Sequence, residues 1–312
     1  MIDYGENTEA KIHEVVEALI LYGKRSIIAL AGVPGTGKSF IASIAAQRFA
    51  TTTIMVREIQ FHQSFSYEEF IEGLRIDDSG GVSVKPGIFL EFNQDALDDA
   101  EHRYVLLIEE FTRANLSAVL GELLTYLEYR EGTTERHFET IYSRQPVRIA
   151  PNLTILTTYN PTDQSALELD SAVLRRLRII RCPPSTAQLG EMLSGKMSAE
   201  AIEALKGVFA ACRAFYDDEY DYEANMPFGH GVFADVQNEA PDLYNLWHQR
   251  LIYLLRRPSG KHELLETIES HYPWRATAAY RVTPAAGDAP GGDAAGQGGP
   301  APASTLFEGS PT

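Results

Sequence analysis

The sequence predicts an α/β fold: a parallel sheet flanked by helices, followed by a small α-helical domain. Three observations carry that prediction. Apolar, β-rich runs alternate with helical stretches from Ser26 to Pro184. A glycine-rich turn, "GVPGTGKS" (Gly32–Ser39), sits between the first such run and a helix. Beyond two prolines, Pro183 and Pro184, the strand signals stop and helical patterning continues.

The elements follow in order. Apolar spacing from Ile12 to Leu21 predicts a leading helix. "SIIALAG" reads as a buried strand, and "SFIASIAAQRFA" as the helix after the glycine-rich turn. "TTIMVREIQFH" is a second β-rich run. "DDSGGVSVKPGIFLEF", with its Gly-Gly turn, reads as a hairpin insertion over Ser79–Phe92. "YVLLIE" is a third strand, and a single helix is expected through "LSAVLGELLTYLE". "RHFETIYSRQPVRIA" reads as a second hairpin, "NLTILTTYN" and "LRIIRCPP" as the fourth and fifth strands. Strands that alternate with helices build a parallel sheet covered on both faces. The predicted domains are 1–184 for the α/β part with two hairpin insertions, 185–283 for the helical lid, and 284–312 for a Gly/Pro/Ala-rich tail. The tail's composition cannot bury enough apolar surface to offset ordering, so disorder is expected there.

Composition narrows the function classes. The chain has 312 residues, 44% of them hydrophobic, and a formal net charge of −16. Such a balance argues against a surface that coats nucleic acid generally. Two cysteines, Cys182 and Cys212, lack zinc or redox spacing and fit a reducing compartment. The N-terminal stretch is polar and acidic, unlike a signal peptide. No apolar run reaches the roughly 20 residues of a membrane span. A cytoplasmic protein without membrane contact is expected. The acidic stretch Asp217–Glu223 reads as a solvated loop.

Gly32–Ser39 matches G-x-x-x-x-G-K-[ST], with the strand and helix flanks that the motif requires. Gly32, Pro34, Gly35, Thr36 and Gly37 shape a loop whose backbone N–H groups can approach phosphate oxygens at a helix N-terminus. Lys38 is expected to reach the β and γ phosphates, and the Ser39 hydroxyl to ligate Mg²⁺. Such a site needs an acid on a neighbouring strand. Glu109 occupies the metal-side position, and Glu110 the position of a carboxylate that orients the attacking water. Alternation aims the two side chains oppositely unless the strand ends between them. Asn160 closes the fourth strand, where a neutral amide can position water. Asp163 reads either as part of that site or as a turn residue after Pro161. Arg175 and Arg176 read either as arginines offered to a neighbouring subunit's nucleotide or as exposed basic residues at a helix end.

Together these residues resemble the AAA+ ATPases of the McrB and MoxR branch. The McrB-like segments are "FHQSFSYEEFIEGLR" (Phe61–Arg75), "EEFTRANLSAVLGELL" and "MPFGHGVF" (Met226–Phe233), and "TTYNPTDQS" lies between the two subfamilies' versions. The resemblance spans roughly residues 1–275. It implies a hexameric ring, Mg²⁺-dependent hydrolysis of ATP or GTP, Glu110 as catalytic glutamate and Asn160 as first sensor. It places Asp163 in the adjacent signature and Arg175 or Arg176 as the finger. His230 falls in a lid motif, where it reads as a second sensor or as a buried histidine. Two departures stand out: Glu109 replaces the usual aspartate, and two arginines precede Leu177 where the family often has three. With 31 residues ahead of Gly32, no N-terminal DNA-reading domain is expected. The two hairpins resemble pore-facing inserts, which leaves nucleic acid contact open through the pore or a partner. Three functions follow: a motor driving a separate nuclease in defence against foreign DNA, a remodeller of a partner such as a von Willebrand A protein, and a nucleotide-gated assembly switch.

Overall fold

The computed structural model describes residues 5–24, 26–76, 80–127, 137–163, 166, 169–216, 227–256 and 262–273. The acidic stretch 217–223, Met226 and the tail from 284 lie outside them.

The leading helix α1 (Glu6–Tyr22) buries Ile12, Val15 and Leu19. It packs on α2 (Lys38–Phe49), the helix that the phosphate-loop motif opens. The strands in chain order are β1 (Ile27–Ala31), β2 (Val56–Gln60), β3 (Glu72–Ile76), β4 (Val82–Pro86), β5 (Tyr104–Glu109), β6 (Phe138–Glu139), β7 (Pro146–Val147), β8 (Leu153–Tyr159) and β9 (Leu177–Arg181). Five of them form one parallel sheet in the order β2-β5-β8-β1-β9.

Period-2 alternation divides the sheet's side chains between two cores. Ile27, Ala29, Leu106, Ile108 and Ile155 face one. Ile28, Leu30, Val105, Leu107 and Leu156 face the other, with α1 and α2. Because both faces are covered, β1, β5 and β8 read as near-continuous apolar runs. Their carboxyl ends, side by side in the centre of the sheet, are where open α/β sheets bind ligands.

The first insertion differs from the prediction. Its antiparallel pair is β3–β4, running from Glu72↔Pro86 to Ile76↔Val82. "IFLEF" is helical, within Ile88–Asp98, and buries Phe89, Phe92, Asn93 and Ala96 on one face. The spacing of those residues is helical, and the Gly-Gly turn upstream masked it. The β6–β7 pair is antiparallel as expected, at two residues per strand. The helix predicted through "LSAVLGELLTYLE" is broken into Leu116–Leu120 and Leu123–Tyr126. Gly121 lies between them with φ +48°, and a Cβ there would stand 2.8 Å from the Tyr67 ring. Thr53–Met55 is a 3₁₀ turn that precedes β2.

Glu72 ties the two insertions together. It is 3% exposed and accepts from the Tyr142 and Ser143 N–H groups, both at 2.8 Å, and from Ser143 Oγ at 2.7 Å. These hydrogen bonds hold the carboxyl below its usual range against the opposing effect of burial.

From Thr186 the described chain is helical, with its own core around Leu189, Leu205, Phe209, Phe228, Phe233 and Trp247. Val33, from the phosphate loop, belongs to that core. No helix among the described residues is long and apolar enough to cross a membrane.

Candidate functional site

β1 delivers the chain into the loop 32–37, and α2 starts at Lys38. Gly35 and Gly37 have φ +80° and +78°, values that a glycine adopts without the steric cost of a Cβ. The Thr36 hydroxyl donates to the Val33 carbonyl at 3.0 Å, and Lys38 Nζ donates to the same oxygen at 3.1 Å. Burial lowers the Lys38 pKa. The nearby Cys182, Glu110, Glu109 and Asp163 act in the opposite direction.

The helical segment beyond Thr186 straps this loop. Gly229 N–H donates to the Pro34 carbonyl at 2.8 Å, and Gly231 N–H to the Gly35 carbonyl at 2.6 Å. A Cβ on Gly229 would stand 2.4 Å from the Gly35 oxygen, so only glycine permits the approach. Between these two glycines lies His230, 6% exposed. Its Nδ1 accepts the Ser185 N–H at 3.2 Å, which places the proton of the neutral ring on Nε2. That nitrogen lies on the side of Gly37: a Cβ built there would be 3.9 Å away.

Burial pushes the His230 pKa down to about 4. The ordinary value is about 6.5. A histidine held neutral in the folded state contributes stability that is full above the unfolded value and lost as pH falls toward the folded one. Folding stability should therefore decline between about pH 6.5 and 4, with a slope of up to about 1.4 kcal/mol per unit from this residue. His230→Asn, which keeps an acceptor for Ser185, should lose that part of the slope in urea titrations at pH 7 and pH 5.

β5 ends between the two glutamates. Glu109 is its last residue, and Glu110 follows at φ 54°, ψ 41°. This left-handed conformation costs a non-glycine residue about 1–3 kcal/mol. With the strand ended at Glu109, Glu110 lines the cleft beside Lys38 and Ser39. The next residue, Phe111, anchors the turn: fully buried, it stacks on Phe61 at 5.8 Å between centroids. Glu109 Oε2 accepts from Ser39 Oγ at 2.8 Å and from the Thr158 hydroxyl. Glu109 Oε1 is buried and has no hydrogen-bond partner.

Glu110 Oε2 accepts from Arg113 Nε at 2.9 Å, and an Arg113 Nη lies 3.7 Å from Asp163. Asn160 Nδ2 donates to Asp163 Oδ1 at 2.9 Å, and Asn160 Oδ1 accepts from Thr162 N–H and Oγ1. Asp163 is thus joined to Asn160 and, through Arg113, to Glu110. Arg175 is exposed. Arg176 is 3% exposed, and its guanidinium turns back onto the Ala172 carbonyl at 2.5 Å. The two candidate finger arginines therefore occupy different environments.

The cleft has a volume of about 670 Å³. One end is lined by Gly35, Gly37, Lys38, Ser39 and Glu110, and its walls include Thr8, Phe40, Gln188, Met192 and His230. Gln188 Nε2 donates to Thr8 Oγ1 at 3.3 Å, which joins α1 to the helix Thr186–Leu193. Sequence reasoning left Arg113 without a role and missed Thr158 and Gln188. Arg113 sits three residues after Glu110, a spacing at which side chains on a turn can meet. Thr158 and Gln188 carry no local signal, because sheet register and tertiary packing alone place them.

The donor set fits Mg²⁺. The ion favours hard oxygen ligands and keeps waters and phosphate oxygens in its shell, so a hydroxyl and one carboxylate suffice from the protein. Ser39 Oγ and Glu109 supply both, joined at 2.8 Å, and Glu109 Oε1 is a carboxylate oxygen with no hydrogen-bond donor of its own. No group of three or more His, Cys, Asp or Glu side chains among the described residues could hold a metal by itself.

Residues 27–177 match the family model of the AAA domain (dynein-related subfamily). The chain is 34% identical over 195 residues to the Type IV methyl-directed restriction enzyme EcoKMcrB subunit of Escherichia coli K12, covering 60% of this chain and 42% of that protein. It is 22% identical over 184 residues to the Type II restriction enzyme BsuMI component YdiS of Bacillus subtilis 168, covering 46% and 53%. Among solved structures, NtrX from Brucella abortus aligns with a TM-score of 0.43 at 12% identity, over 65% of this chain and 46% of that one. The chain thus spans about half the length of the curated relatives it matches. With its strand order, phosphate loop and paired acids, this chain carries an AAA domain over residues 27–177 and is similar to an McrB subunit.

Proposed function

We propose that this chain is an Mg²⁺-dependent nucleoside triphosphatase that works as a hexameric ring and drives a separate effector, such as a nuclease, in defence against foreign DNA. The observation that carries the proposal is the meeting of Lys38, Ser39 and Glu110 at one cleft, with Glu109 hydrogen-bonded to Ser39 and with Asn160 and Asp163 joined to Glu110 through Arg113. ATP is the proposed nucleotide, with GTP as the alternative. Two relatives named as restriction-enzyme components support the link to a nuclease.

In this reading the glycine loop and Lys38 cradle the phosphates. Ser39 and Glu109 hold Mg²⁺, which when bound neutralises phosphate oxygens. Glu110 orients the attacking water, and Asn160 fixes its position from the neighbouring strand. Asp163 holds the Asn160 amide and, with Arg113, the Glu110 carboxylate. Residues 185–283 act as a lid, and His230 reports closure to the phosphate loop. Arg175 is the finger offered to the neighbouring subunit, because Arg176 is committed to its own helix.

Phosphate release from ATP and from GTP, with Mg²⁺ and with EDTA, tests the reading. Hydrolysis of at least one nucleotide is expected, abolished by EDTA, together with nucleotide-dependent growth in particle mass. No release from either nucleotide, alone or with a nuclease partner, overturns it.

A further inference from the structure

We propose that Thr158 is the positioning residue that lets a glutamate serve as the metal-side acid in this chain. The inference rests on the triphosphatase reading above and adds a part to it. A glutamate carries one more methylene than an aspartate, and with it one more rotatable bond. Left alone, that side chain could swing its carboxylate off the metal position, at the entropic cost of holding it there. Something must fix it.

Thr158 lies on β8, next to β5 in the sheet, with Leu30 opposite on β1 and Ile108 of β5 paired to Thr157. It is 2% exposed. Its hydroxyl donates to Glu109 Oε2, the oxygen that also accepts from Ser39. The same hydroxyl oxygen accepts the Glu110 N–H at 3.4 Å. Oε2 is therefore held by donors from two elements, α2 and β8. With it fixed, Oε1 is left as the buried oxygen without a hydrogen-bond partner. A buried carboxylate oxygen with no donor is costly unless a ligand completes it. The hydroxyl thus ties Oε2 to the strand beside it while Ser39 ties the same oxygen to the phosphate-loop helix, which fixes the carboxylate at the hydroxyl expected to ligate the cation.

Partners of this kind orient metal ligands, and their loss weakens metal affinity about 10–100-fold. The test measures binding of a fluorescent, non-hydrolysable ATP analogue over a range of Mg²⁺ concentrations, and in EDTA. Thr158→Val keeps the shape and removes the hydroxyl. It should raise the Mg²⁺ needed for half-maximal binding by about tenfold and leave binding in EDTA unchanged. Thr158→Ser should restore the parent's Mg²⁺ dependence. If Thr158→Val responds to Mg²⁺ as the parent does, the inference fails alone. An equal loss of binding with and without Mg²⁺, or no rescue by serine, marks Thr158 as merely structural and also overturns it. If the parent itself binds the analogue with no Mg²⁺ dependence, the triphosphatase reading fails and this inference with it.

Discussion

Glu110→Gln is expected to bind nucleotide as the parent does and to hydrolyse it at least about 100-fold more slowly, the scale of losing a positioned base. The substitution is close to isosteric. The Gln carbonyl oxygen can still accept from Arg113 Nε, so the left-handed turn and the Phe111 anchor have no reason to move. What the amide cannot do is take a proton from water. A loss in kcat with KM unchanged is the signature of an interaction made only in the transition state. Glu109→Gln should behave differently. Its amide would bring an N–H group close to the cation shell, so Mg²⁺-dependent nucleotide binding should weaken along with turnover. Measured side by side, the two variants separate the two adjacent carboxylates by role. Unchanged hydrolysis in Glu110→Gln would remove the assignment of Glu110.

The sheet was legible because its strands are buried on both faces and bounded by turn chemistry. "SIIALAG", "YVLLIE" and "NLTILTTY" could belong to little else once helices separated them. The phosphate loop was legible for a different reason: backbone approach to an anion demands glycine at fixed spacing, and that demand is written locally. The insertion was misread because its Gly-Gly turn dominated the reading, while Phe89, Phe92 and Ala96 carried helical spacing in the same segment. The break at Gly121 was hidden because its cause is Tyr67, more than fifty residues upstream.

At the site, identities were readable and postures were not. The sequence offered two directions for Glu109 and Glu110, and the choice between them lay in where the strand ends. Thr158 was invisible as a site residue for a related reason. A threonine in a β-rich run reads as ordinary strand composition until register sets it beside Glu109. The same holds for Arg175 and Arg176, adjacent in sequence and alike in charge, where helix geometry buried one and exposed the other.

That difference yields the second large effect. Arg175→Ala is expected to reduce turnover about 10³-fold or more, the scale of losing a finger arginine, while nucleotide binding persists. Arg176→Ala should act mainly on folding, because its side chain is buried against the Ala172 carbonyl. A drop in turnover cannot by itself say whether an arginine serves its own subunit or the next, but mixing can. In a ring with head-to-tail contacts, each site joins Glu110 of one subunit to Arg175 of its neighbour. Arg175→Ala and Glu110→Gln subunits are each inactive alone. In a random equal mixture, about a quarter of the contacts pair an intact Glu110 with an intact Arg175. Turnover should therefore rise toward about a quarter of the parent's rate. An arginine acting within its own subunit would complement nothing, since an Arg175→Ala subunit would lack its own finger and a Glu110→Gln subunit its own glutamate. Activity at the level of the two variants measured separately removes the finger assignment. If folded Arg176→Ala is inactive alone and its mixture with Glu110→Gln recovers turnover, the assignment passes to the buried arginine, and the helix Ser171–Leu174 must release it on assembly.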